Sequence, residues 1–411
     1  MKRFLTLCLC CIVWITSAPV VPAKAQAVTQ KSSELKGVWI SYLEFSNGGV
    51  EKMTKSQFKT YINKVFDQCK AMKLNTVFVQ IRPSGDAFYP SKYFPWSNYC
   101  SGKQGKSPGY DPTAYMVSAA HKRGLAFYAW LNPYRVSAVS SDINKLSPDN
   151  QARKWRKSKD ASVRRNVLTY DNKLYFNPSK AAVRKLIVNG VKEVVKKYKV
   201  DGIVFDDYFY PNLGSNYQKK FDYIEYSQYQ KNCKKQKKTA KSIVQWRREQ
   251  VNMLLKNVKT AAKSINKKVR FGVSPEGNIS NLISNHSHYC DVKNWMKTNT
   301  YMDFICPQLY WSKTNPVSPY NGVLEQWIKL KKTKNIKLYV ALAAYKAGCT
   351  KKEAKSLSPS DLRWNTSSTN LKEQVLMGRK SGQVSGYVFY RYDNLVSSKA
   401  KKERYHLMTV L

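Results

Sequence analysis

Acidic residues are scarce in this sequence. The 411 residues include 26 aspartates and glutamates against 71 lysines and arginines, which gives a formal net charge of +45 at pH 7. A positive excess of this size attracts polyanions. Because the basic residues are spread along predicted helices and form no recognisable nucleic-acid motif, nucleic acid is not the expected partner. The charge favours affinity for anionic polymers of a cell wall. The alternative is a chain that uses lysine heavily on its solvated faces.

Motifs that mark several other enzyme classes are also missing. No GxSxG sequence stands at a strand-to-helix turn, and no glycine loop is built to cradle phosphate, so acyl and phosphoryl transfer have no support. His286 and His288 form an isolated HxH pair in a polar loop without a clear third ligand. The sequence therefore predicts neither a metal site nor a cofactor.

Long apolar runs are rare, and the longest lies at the N-terminus. Two basic residues precede an apolar run from Phe4 to Ile15, and Ala23-Lys-Ala25 supplies a cleavage site of small residues. The run is too short to span a bilayer, and no later stretch predicts a transmembrane segment. We expect residues 1–25 to be a signal peptide, with cleavage after Ala27 as the alternative. Residues 26–34 are then a short linker, and the mature protein is expected to be secreted and associated with the cell wall.

Apolar strands alternate with amphipathic helices eight times along residues 35–411. Alternating strand and helix units imply parallel strands with right-handed crossovers. Eight such units predict a single (β/α)8 TIM barrel with long loops at its C-terminal face. The polar, Lys/Tyr-rich stretch at residues 212–240 is expected to be an insertion at the barrel mouth, either a loop or partly a helix. The predicted strands are residues 37–43, 76–81, 126–131, 202–205, 269–273, 304–309, 338–343 and 386–390.

The segment from Asp201 to Pro211 carries the clearest chemical signal. A strand without polar side chains, Gly202 to Phe205, runs directly into Asp206 and Asp207 and then into three aromatic rings. Carboxylates beside a core are costly unless they are hydrogen-bonded or functional. Carboxylates and rings together at the C-terminal end of a buried strand are typical of sugar-cleaving barrels. The alternative is a turn followed by an aspartate pair that caps a helix.

The ends of the other predicted strands carry similar side chains, and in a β/α barrel the reaction occurs at these ends. Nearly every end combines aromatic rings, which stack on the CH faces of sugar rings, with polar groups that bind hydroxyls. This convergence predicts a carbohydrate site. The candidate substrate-binding residues are Arg82, Asp86, Asn132, Tyr134, Arg135, Tyr208, Tyr210, Asn278, Gln308, Tyr310, Trp311, Tyr345 and Arg391. For Arg82 and Asp86 a pairing that only holds a loop is the alternative.

A series of ordered motifs resembles a known family. The motifs include Gly37-Val-Trp-Ile, Gln80-Ile-Arg-Pro-Ser-Gly-Asp86, Ala129-Trp-Leu-Asn-Pro-Tyr-Arg135, Phe205-Asp-Asp-Tyr-Phe-Tyr-Pro211 and Pro307-Gln-Leu-Tyr-Trp311. Over residues 35–395 the sequence is similar to the glycosyl hydrolase-like 10 family of exported bacterial β/α barrels. The resemblance implies a glycoside hydrolase. One branch of that family cleaves peptidoglycan glycan strands that have lost their stem peptides.

Glycosidic cleavage needs one carboxylic acid to protonate the leaving oxygen and a second carboxylate as nucleophile or base. Asp206 is the candidate nucleophile or base, because Asp201 to Asp206 resembles the nucleophile segment of related barrel glycosidases. Strand alternation places Asp206 and Asp207 on opposite faces, so one of them should point to the barrel axis. Glu276, at the mouth of the next strand, is the candidate acid. Its substitutes are Asp207, Asp86 and Glu44.

The sequence leaves three functional hypotheses. The leading one is an exported glycoside hydrolase that cleaves a bacterial cell-wall glycan, peptidoglycan, by paired-carboxylate acid/base catalysis. The second is hydrolysis of a different polysaccharide by the same carboxylates. The third is a non-catalytic barrel that binds glycans.

Overall fold

The computed structural model describes residues 34–411, so the predicted signal peptide and residues 26–33 of the predicted linker lie outside the described residues. The strands are β1 (Leu35–Ile40), β2 (Thr76–Arg82), β3 (Ala126–Leu131), β4 (Arg135–Ser137), β5 (Val167–Tyr170), β6 (Lys173–Phe176), β7 (Gly202–Asp206), β8 (Arg270–Ser274), β9 (Phe304–Ile305), β10 (Lys337–Leu342) and β11 (Val384–Phe389). The α-helices are α1 (Tyr42–Asn47), α2 (Lys55–Ala71), α3 (Asn98–Ser101), α4 (Pro112–Lys122), α5 (Gln151–Arg156), α6 (Ala161–Arg164), α7 (Ala181–Lys197), α8 (Tyr223–Lys235), α9 (Ile243–Ile265), α10 (Ile279–Leu282), α11 (Val292–Trp295), α12 (Tyr320–Leu330), α13 (Lys351–Ser356), α14 (Arg363–Thr366), α15 (Asn370–Lys380), α16 (Tyr392–Val396) and α17 (Lys401–Met408). Short 3₁₀ helices cover Val50–Lys52, Ile143–Lys145, Tyr217–Lys219 and Ala344–Lys346.

Eight of the strands in residues 34–411 close into a barrel. Their order is β1, β2, β3, β7, β8, β9, β10 and β11, and β11 pairs back with β1. All neighbours in the barrel are parallel. Helices connect the successive strands around the outside of the barrel, as predicted from the alternation of apolar strands and amphipathic helices in the sequence. The predicted (β/α)8 TIM barrel is confirmed.

The strand bounds depart from the predicted ones chiefly at two places. β1 ends at Ile40, earlier than predicted, because Ser41 begins helix α1 with a capping box in which Glu44 accepts from the Ser41 backbone and hydroxyl. β9 covers two residues and stops ahead of Pro307, which has no backbone N–H to donate. Gln308 then returns to the sheet through isolated bridges to Glu276 and Ala341.

A three-stranded antiparallel sheet lies between the predicted strands 126–131 and 202–205, where the sequence predicted no strand. Strand β6 lies between β4 and β5. Leu174 and Phe176 of β6 are buried, whereas Lys173 and Tyr175 are partly exposed, so the sheet has one face on the core. The sheet places Arg135, at the start of β4, beside the barrel mouth.

The insertion at residues 212–240 is partly helical, because it contains a short 3₁₀ helix and helix α8. Tyr226 and Tyr229 of α8 pack on Trp246 of α9. Glu225 pairs with Arg165 at 2.6 Å. These contacts hold α8 against α9 and Arg165.

Side chains fill the barrel interior, so the barrel is a core and not a pore. Trp39 and Trp130 meet edge to face at 5.1 Å between ring centroids in the layer nearest the mouth. These two indole rings form the floor of the cavity described below. The interior cluster consists of Leu35, Trp39, Phe78, Tyr128, Trp130, Val204, Phe304, Cys306, Tyr339, Ala341 and Val388.

The first and last described residues meet at the opposite end of the barrel. Lys36 Nζ donates to the backbone carbonyl of Leu411 at 3.0 Å. Arg379 pairs with Glu34 at 2.6 Å. These contacts close the barrel end away from the mouth. No helix among residues 34–411 combines the length and apolar composition that crossing a membrane requires.

Candidate active site

Asp206 is the last residue of β7 and lies on the wall of the central cavity at the barrel mouth. Its Oδ2 accepts hydrogen bonds from the Asn132 side-chain amide and, at 3.3 Å, from the Trp130 indole N–H. Its Oδ1 has no hydrogen-bond partner among the described residues, and the residue is 4 % exposed. One carboxylate oxygen is therefore held by neighbouring strands, while the other is buried at the cavity wall without a hydrogen-bond partner among the described residues.

A row of amides behind Asp206 fixes its position. Asn132 donates to Asp206 and accepts from Gln80 Nε2 at 2.6 Å. Gln80 Oε1 in turn accepts from the backbone N–H of Tyr42 at 3.2 Å. The row runs from the end of β1 through β2 and β3 to β7. Because each amide is oriented by the next, the Asp206 carboxyl is held by the barrel itself rather than by a loop.

Asp207 points away from Asp206, as strand alternation predicts, and contacts the loop after β8. Its Oδ2 accepts from the backbone N–H of Glu276 at 2.6 Å. Glu276 accepts from the Asn281 side-chain amide at 2.6 Å through Oε1. His288 lies between the two acids, with Nδ1 3.6 Å from Asp207 Oδ2 and Nε2 3.4 Å from Glu276 Oε2. The candidate acid therefore belongs to a cluster of two carboxyl groups and one imidazole.

Burial raises the pKa of all three carboxyl groups. The pKa of Asp206 rises to about 6, because burial outweighs the attraction of the nearby Arg135 guanidinium. Burial also raises the pKa of Asp207 and of Glu276, and the adjacent His288 opposes both shifts. Carboxyl groups with raised pKa values keep a proton closer to neutral pH, which an acid catalyst requires.

Adjoining cavities run along the mouth. The central cavity, of 220 Å³, contains Asp206 and shares Tyr208 with a 500 Å³ cavity that contains Glu276 and His288. Tyr345 is shared between the central cavity and a 320 Å³ cavity on the β10 side. A further cavity of 390 Å³ begins at Arg135, whose guanidinium stacks on Tyr208 at 4.8 Å. These four cavities are together called the trough below.

Several predicted substrate-binding residues lie on these walls. Tyr208, Gln308, Tyr310 and Tyr345 line the central cavity, and Tyr310 stacks on Tyr390 at 5.8 Å. The remaining predicted residues that line a cavity are Tyr210, in the 500 Å³ cavity, and Arg135 and Asp86, both in the 390 Å³ cavity. Asn132 touches the site through Asp206.

Other predicted binding residues are buried beneath the site. Arg82 is 1 % exposed and packs its guanidinium on Phe94 at 4.6 Å, and among the described residues its guanidinium nitrogens have no hydrogen-bond partner, Asp86 included. Burial lowers the pKa of Arg82 to about 10. Tyr134 is fully buried, and the Tyr210 hydroxyl donates to Asp222 at 2.9 Å. Arg82 and Tyr134 support the walls from behind, whereas Tyr210 is itself part of the wall of the 500 Å³ cavity.

Three further predicted residues are engaged in local contacts. Asn278 caps helix α10 by accepting from the Ser280 and Asn281 backbone N–H groups. Trp311 packs beside Gly277, where an added Cβ would stand 2.7 Å from the indole ring. Arg391 pairs with Glu44 at 2.8 Å, and Glu44 is fully buried. Glu44, a substitute candidate for the acid, is therefore occupied by an ion pair and a helix cap.

The sequence reasoning missed His288 as a partner of the carboxyl groups and Trp39 as part of the cavity floor. Trp39 stands one residue before the end of β1, so its strand position was a usable signal. His288 follows the end of β8 by fourteen residues, and no local pattern relates it to Glu276. No group of His, Cys, Asp and Glu side chains in residues 34–411 is arranged to hold a metal ion.

Comparison with known proteins gives relatives over most of the chain. The glycosyl hydrolase-like 10 family matches residues 34–358. Glycosyl hydrolase YngK of Bacillus subtilis is 38% identical over 344 residues, covering 79% of this chain and 63% of YngK. This chain therefore spans less than two thirds of the length of YngK. Glycosyl hydrolase DigH of Escherichia coli K12 is 31% identical over 409 residues, covering 92% of this chain and 87% of DigH.

Solved structures with the same fold are more distant in sequence. The glycoside hydrolase domain of PgaB from Bordetella bronchiseptica superposes with a TM-score of 0.54 at 13% identity, covering 91% of this chain and 99% of that domain. The GH20 exo-β-N-acetylglucosaminidase from Vibrio harveyi gives a TM-score of 0.52 at 8% identity, covering 93% of this chain and 54% of that enzyme. At these identities the likeness concerns the fold alone.

Proposed function

The chain belongs to the glycosyl hydrolase-like 10 family and is a glycoside hydrolase, and from this premise we propose that it cleaves the glycan strands of bacterial peptidoglycan by paired-carboxylate catalysis. Asp206 is the nucleophile, or the base that activates water, and Glu276 is the acid that protonates the leaving oxygen. Asp207 positions the acid by accepting from the backbone N–H of Glu276.

The observation that carries the catalytic part is that Asp206 and Glu276 lie in adjoining cavities with Tyr208 as their common wall. A glycosidic bond lying across Tyr208 has a carboxyl group on each side. Glu276, whose side chain is 30% exposed and whose pKa is raised by burial, gives its proton to the glycosidic oxygen as the C–O bond breaks. Asp206 attacks the anomeric carbon, or takes a proton from the water that attacks it.

The shape of the trough supports a polymeric glycan as the substrate. The central cavity presents the rings of Trp39, Tyr310, Tyr345 and Tyr390, which suit the apolar faces of pyranose rings, and it opens toward cavities on both sides. Peptidoglycan is favoured among glycans by the family resemblance and by the predicted export signal. Hydrolysis of a different polysaccharide is the alternative. The named relatives are hydrolases, which favours catalysis over binding alone.

The test is a product assay with the purified enzyme and Asp206→Asn as the inactive control. The substrates are intact peptidoglycan, glycan strands freed of stem peptides, and a panel of other polysaccharides. New reducing ends from peptidoglycan or its strands, absent with the variant, are expected. New reducing ends from another polysaccharide, and none from peptidoglycan or its strands, would contradict peptidoglycan as the substrate. No new ends from any glycan, with binding retained, would contradict catalysis.

We also propose that the secreted protein is held at the cell wall through its positive surface. Helix α8 and the turn after it present lysines to solvent, and no acidic residue lies between Glu225 and Glu249. Anionic wall polymers such as teichoic acids are the complementary partner. The exposed lysines of this patch, here called the α8 lysine patch, are Lys231, Lys234, Lys235, Lys237, Lys238 and Lys241.

Binding to isolated cell walls tests this second proposal. Exposed charges are screened over about 8 Å at physiological ionic strength, so binding should weaken steeply as salt increases. Replacing five lysines of the α8 lysine patch by glutamine should reduce binding more than the same change at a matched set elsewhere. Equal binding by both variants, or indifference to salt or to removal of teichoic acid, would contradict the proposal. The matched control set is Lys351, Lys352, Lys355, Lys401 and Lys402, which are also exposed.

A further inference from the structure

His288 has one ring nitrogen directed at each of two carboxyl groups. Nδ1 lies 3.6 Å from Asp207 Oδ2 and 3.4 Å from the Asp207 backbone carbonyl, and Nε2 lies 3.4 Å from Glu276 Oε2. Carboxylate and backbone carbonyl oxygens accept hydrogen bonds, and both acids are ionised once Glu276 has given its proton to the leaving oxygen. Only the doubly protonated imidazolium ring can donate on both sides at once. The geometry therefore suits a cationic bridge between Asp207 and Glu276.

The backbone around His288 is held in an uncommon conformation. His288 and Tyr289 have φ angles of 52° and 54°, in the left-handed region that residues other than glycine uncommonly occupy. Tyr289 is fully buried and anchors the segment, because its hydroxyl accepts from Arg247 at 2.7 Å and donates to the Asn285 carbonyl at 2.8 Å. Such conformations persist where surrounding structure enforces them, and they cluster at functional sites.

The ring is also open to the trough. The side chain of His288 is 20% exposed and lines the 500 Å³ cavity beside Glu276, so it is not simply a packing residue of the core. Other charged or titratable groups act on the cluster from neighbouring elements. Arg135 on β4 lowers the pKa of Asp207. The negative charges of Asp207 and Glu276 raise the pKa of the Cys290 thiol. Asp171 and Lys173 line the same cavity.

We propose that His288 is a positioning residue for the acid of the reaction: as an imidazolium it bridges Asp207 and Glu276, directs Glu276 into the cleft, and stabilises the carboxylate that forms when Glu276 gives its proton to the leaving oxygen. If Asp206 is the nucleophile, Glu276 regains its proton from the water that hydrolyses the glycosyl-enzyme. If Asp206 is the base, it takes the proton of the attacking water and Glu276 is reprotonated from solvent, and in both cases His288 keeps its own protons. This inference rests on the proposed role of Glu276 and adds a residue that the motifs of the sequence do not identify.

The experiment compares His288→Asn with the wild-type enzyme. Asparagine tolerates the left-handed backbone of residue 288 and removes the imidazole, so the fold should be retained. On glycan strands kcat should fall about 10- to 100-fold, less than the full contribution of a general acid. On a 2,4-dinitrophenyl glycoside of an N-acetylglucosamine oligosaccharide, whose leaving group needs little protonation, kcat should change less than threefold. His406→Asn in α17, far from the mouth, is the matched control.

The pH profile separates positioning from a merely structural role. Loss of the imidazolium removes the group that lowers the pKa of Glu276, so the basic limb of kcat/KM should move to higher pH. The chain has four histidines, so ¹⁵N-histidine NMR can follow the charge of His288 directly. The imidazolium signature should weaken in Glu276→Gln and in Asp207→Asn.

The outcomes distinguish the two proposals. Loss of activity in Asp206→Asn together with an unchanged rate and pH profile in His288→Asn overturns the role of His288 and leaves the proposed function standing. A neutral ring in the wild-type enzyme at the pH of maximal activity also overturns it. Full activity in Asp206→Asn overturns the proposed function, and the role of His288 with it.

Discussion

Replacing Asp206 by asparagine should abolish activity and, above pH 6, make the fold more stable. Asparagine has the shape of aspartate, and its side-chain oxygen can still accept from Asn132 and Trp130. It cannot become an anion, so it provides neither the nucleophile nor the base that the transition state needs. Turnover should fall by several orders of magnitude while glycan binding persists.

The stability gain follows from the pKa of the buried carboxyl. In the folded protein the pKa of Asp206 is raised to about 6, against about 3.9 in an unfolded chain. A raised acid pKa means that stability is lost as pH rises through this interval, because the unfolded chain ionises first. Two pKa units correspond to about 3 kcal/mol. The variant, which does not ionise, should exceed the wild type by up to that amount at pH 8 and by nothing near pH 4.

Urea denaturation at pH 4 and pH 8, beside turnover on glycan strands, measures both effects. Asp207→Asn is the comparison, because its side chain faces Glu276 and His288 instead of the central cavity. Near-full turnover in Asp206→Asn with loss of turnover in Asp207→Asn would show that Asp207, and not Asp206, faces the substrate. A stability difference that is the same at both pH values would refute the electrostatic reasoning.

Three further predictions concern other buried charges. Glu276→Gln should lower kcat on glycan strands by about 10²- to 10⁴-fold and spare an aryl glycoside with a good leaving group; equal losses on both substrates would argue against an acid role. Arg247→Met should lower the free energy of unfolding by about 3–5 kcal/mol, measured in urea, because it leaves the fully buried Asp222 without its partner, and a loss below 1 kcal/mol would contradict this. Glu403→Gln should leave the melting temperature unchanged near pH 4 and raise it at pH 9. Burial raises the pKa of Glu403 to about 7, so its ionisation at high pH opposes folding. A higher melting temperature at pH 4 would contradict this reasoning.

The barrel was predictable because its strands are apolar and its helices amphipathic. Strand β3 has the bounds predicted from its apolar run. The small sheet of β4, β5 and β6 was not predictable in the same way. Its strands are three or four residues long, and residues such as Lys173 and Tyr175 alternate with the buried ones over too short a window to give a period.

The site was predictable where it depends on strand ends. Asp206, Gln308 and Tyr310 lie in the central cavity because parallel strands deliver their last residues to one face. Which side chain turns inward beyond the strand depends on loop contacts that the sequence does not reveal. Arg391, for example, pairs with Glu44, and the loop after β8 places His288 beside Glu276.

The contact between Lys36 and Leu411 at the closed end of the barrel has a consequence for attaching the enzyme to a tag or a solid support. A tag, a linker or a solid support joined at Glu34 or at Leu411 starts from the same pole of the molecule. The trough lies at the other pole, so an immobilised enzyme would present it outward to an insoluble polymer. For the same reason a short peptide could join Leu411 to Glu34 in a circularly permuted form of residues 34–411 that is opened in a surface loop.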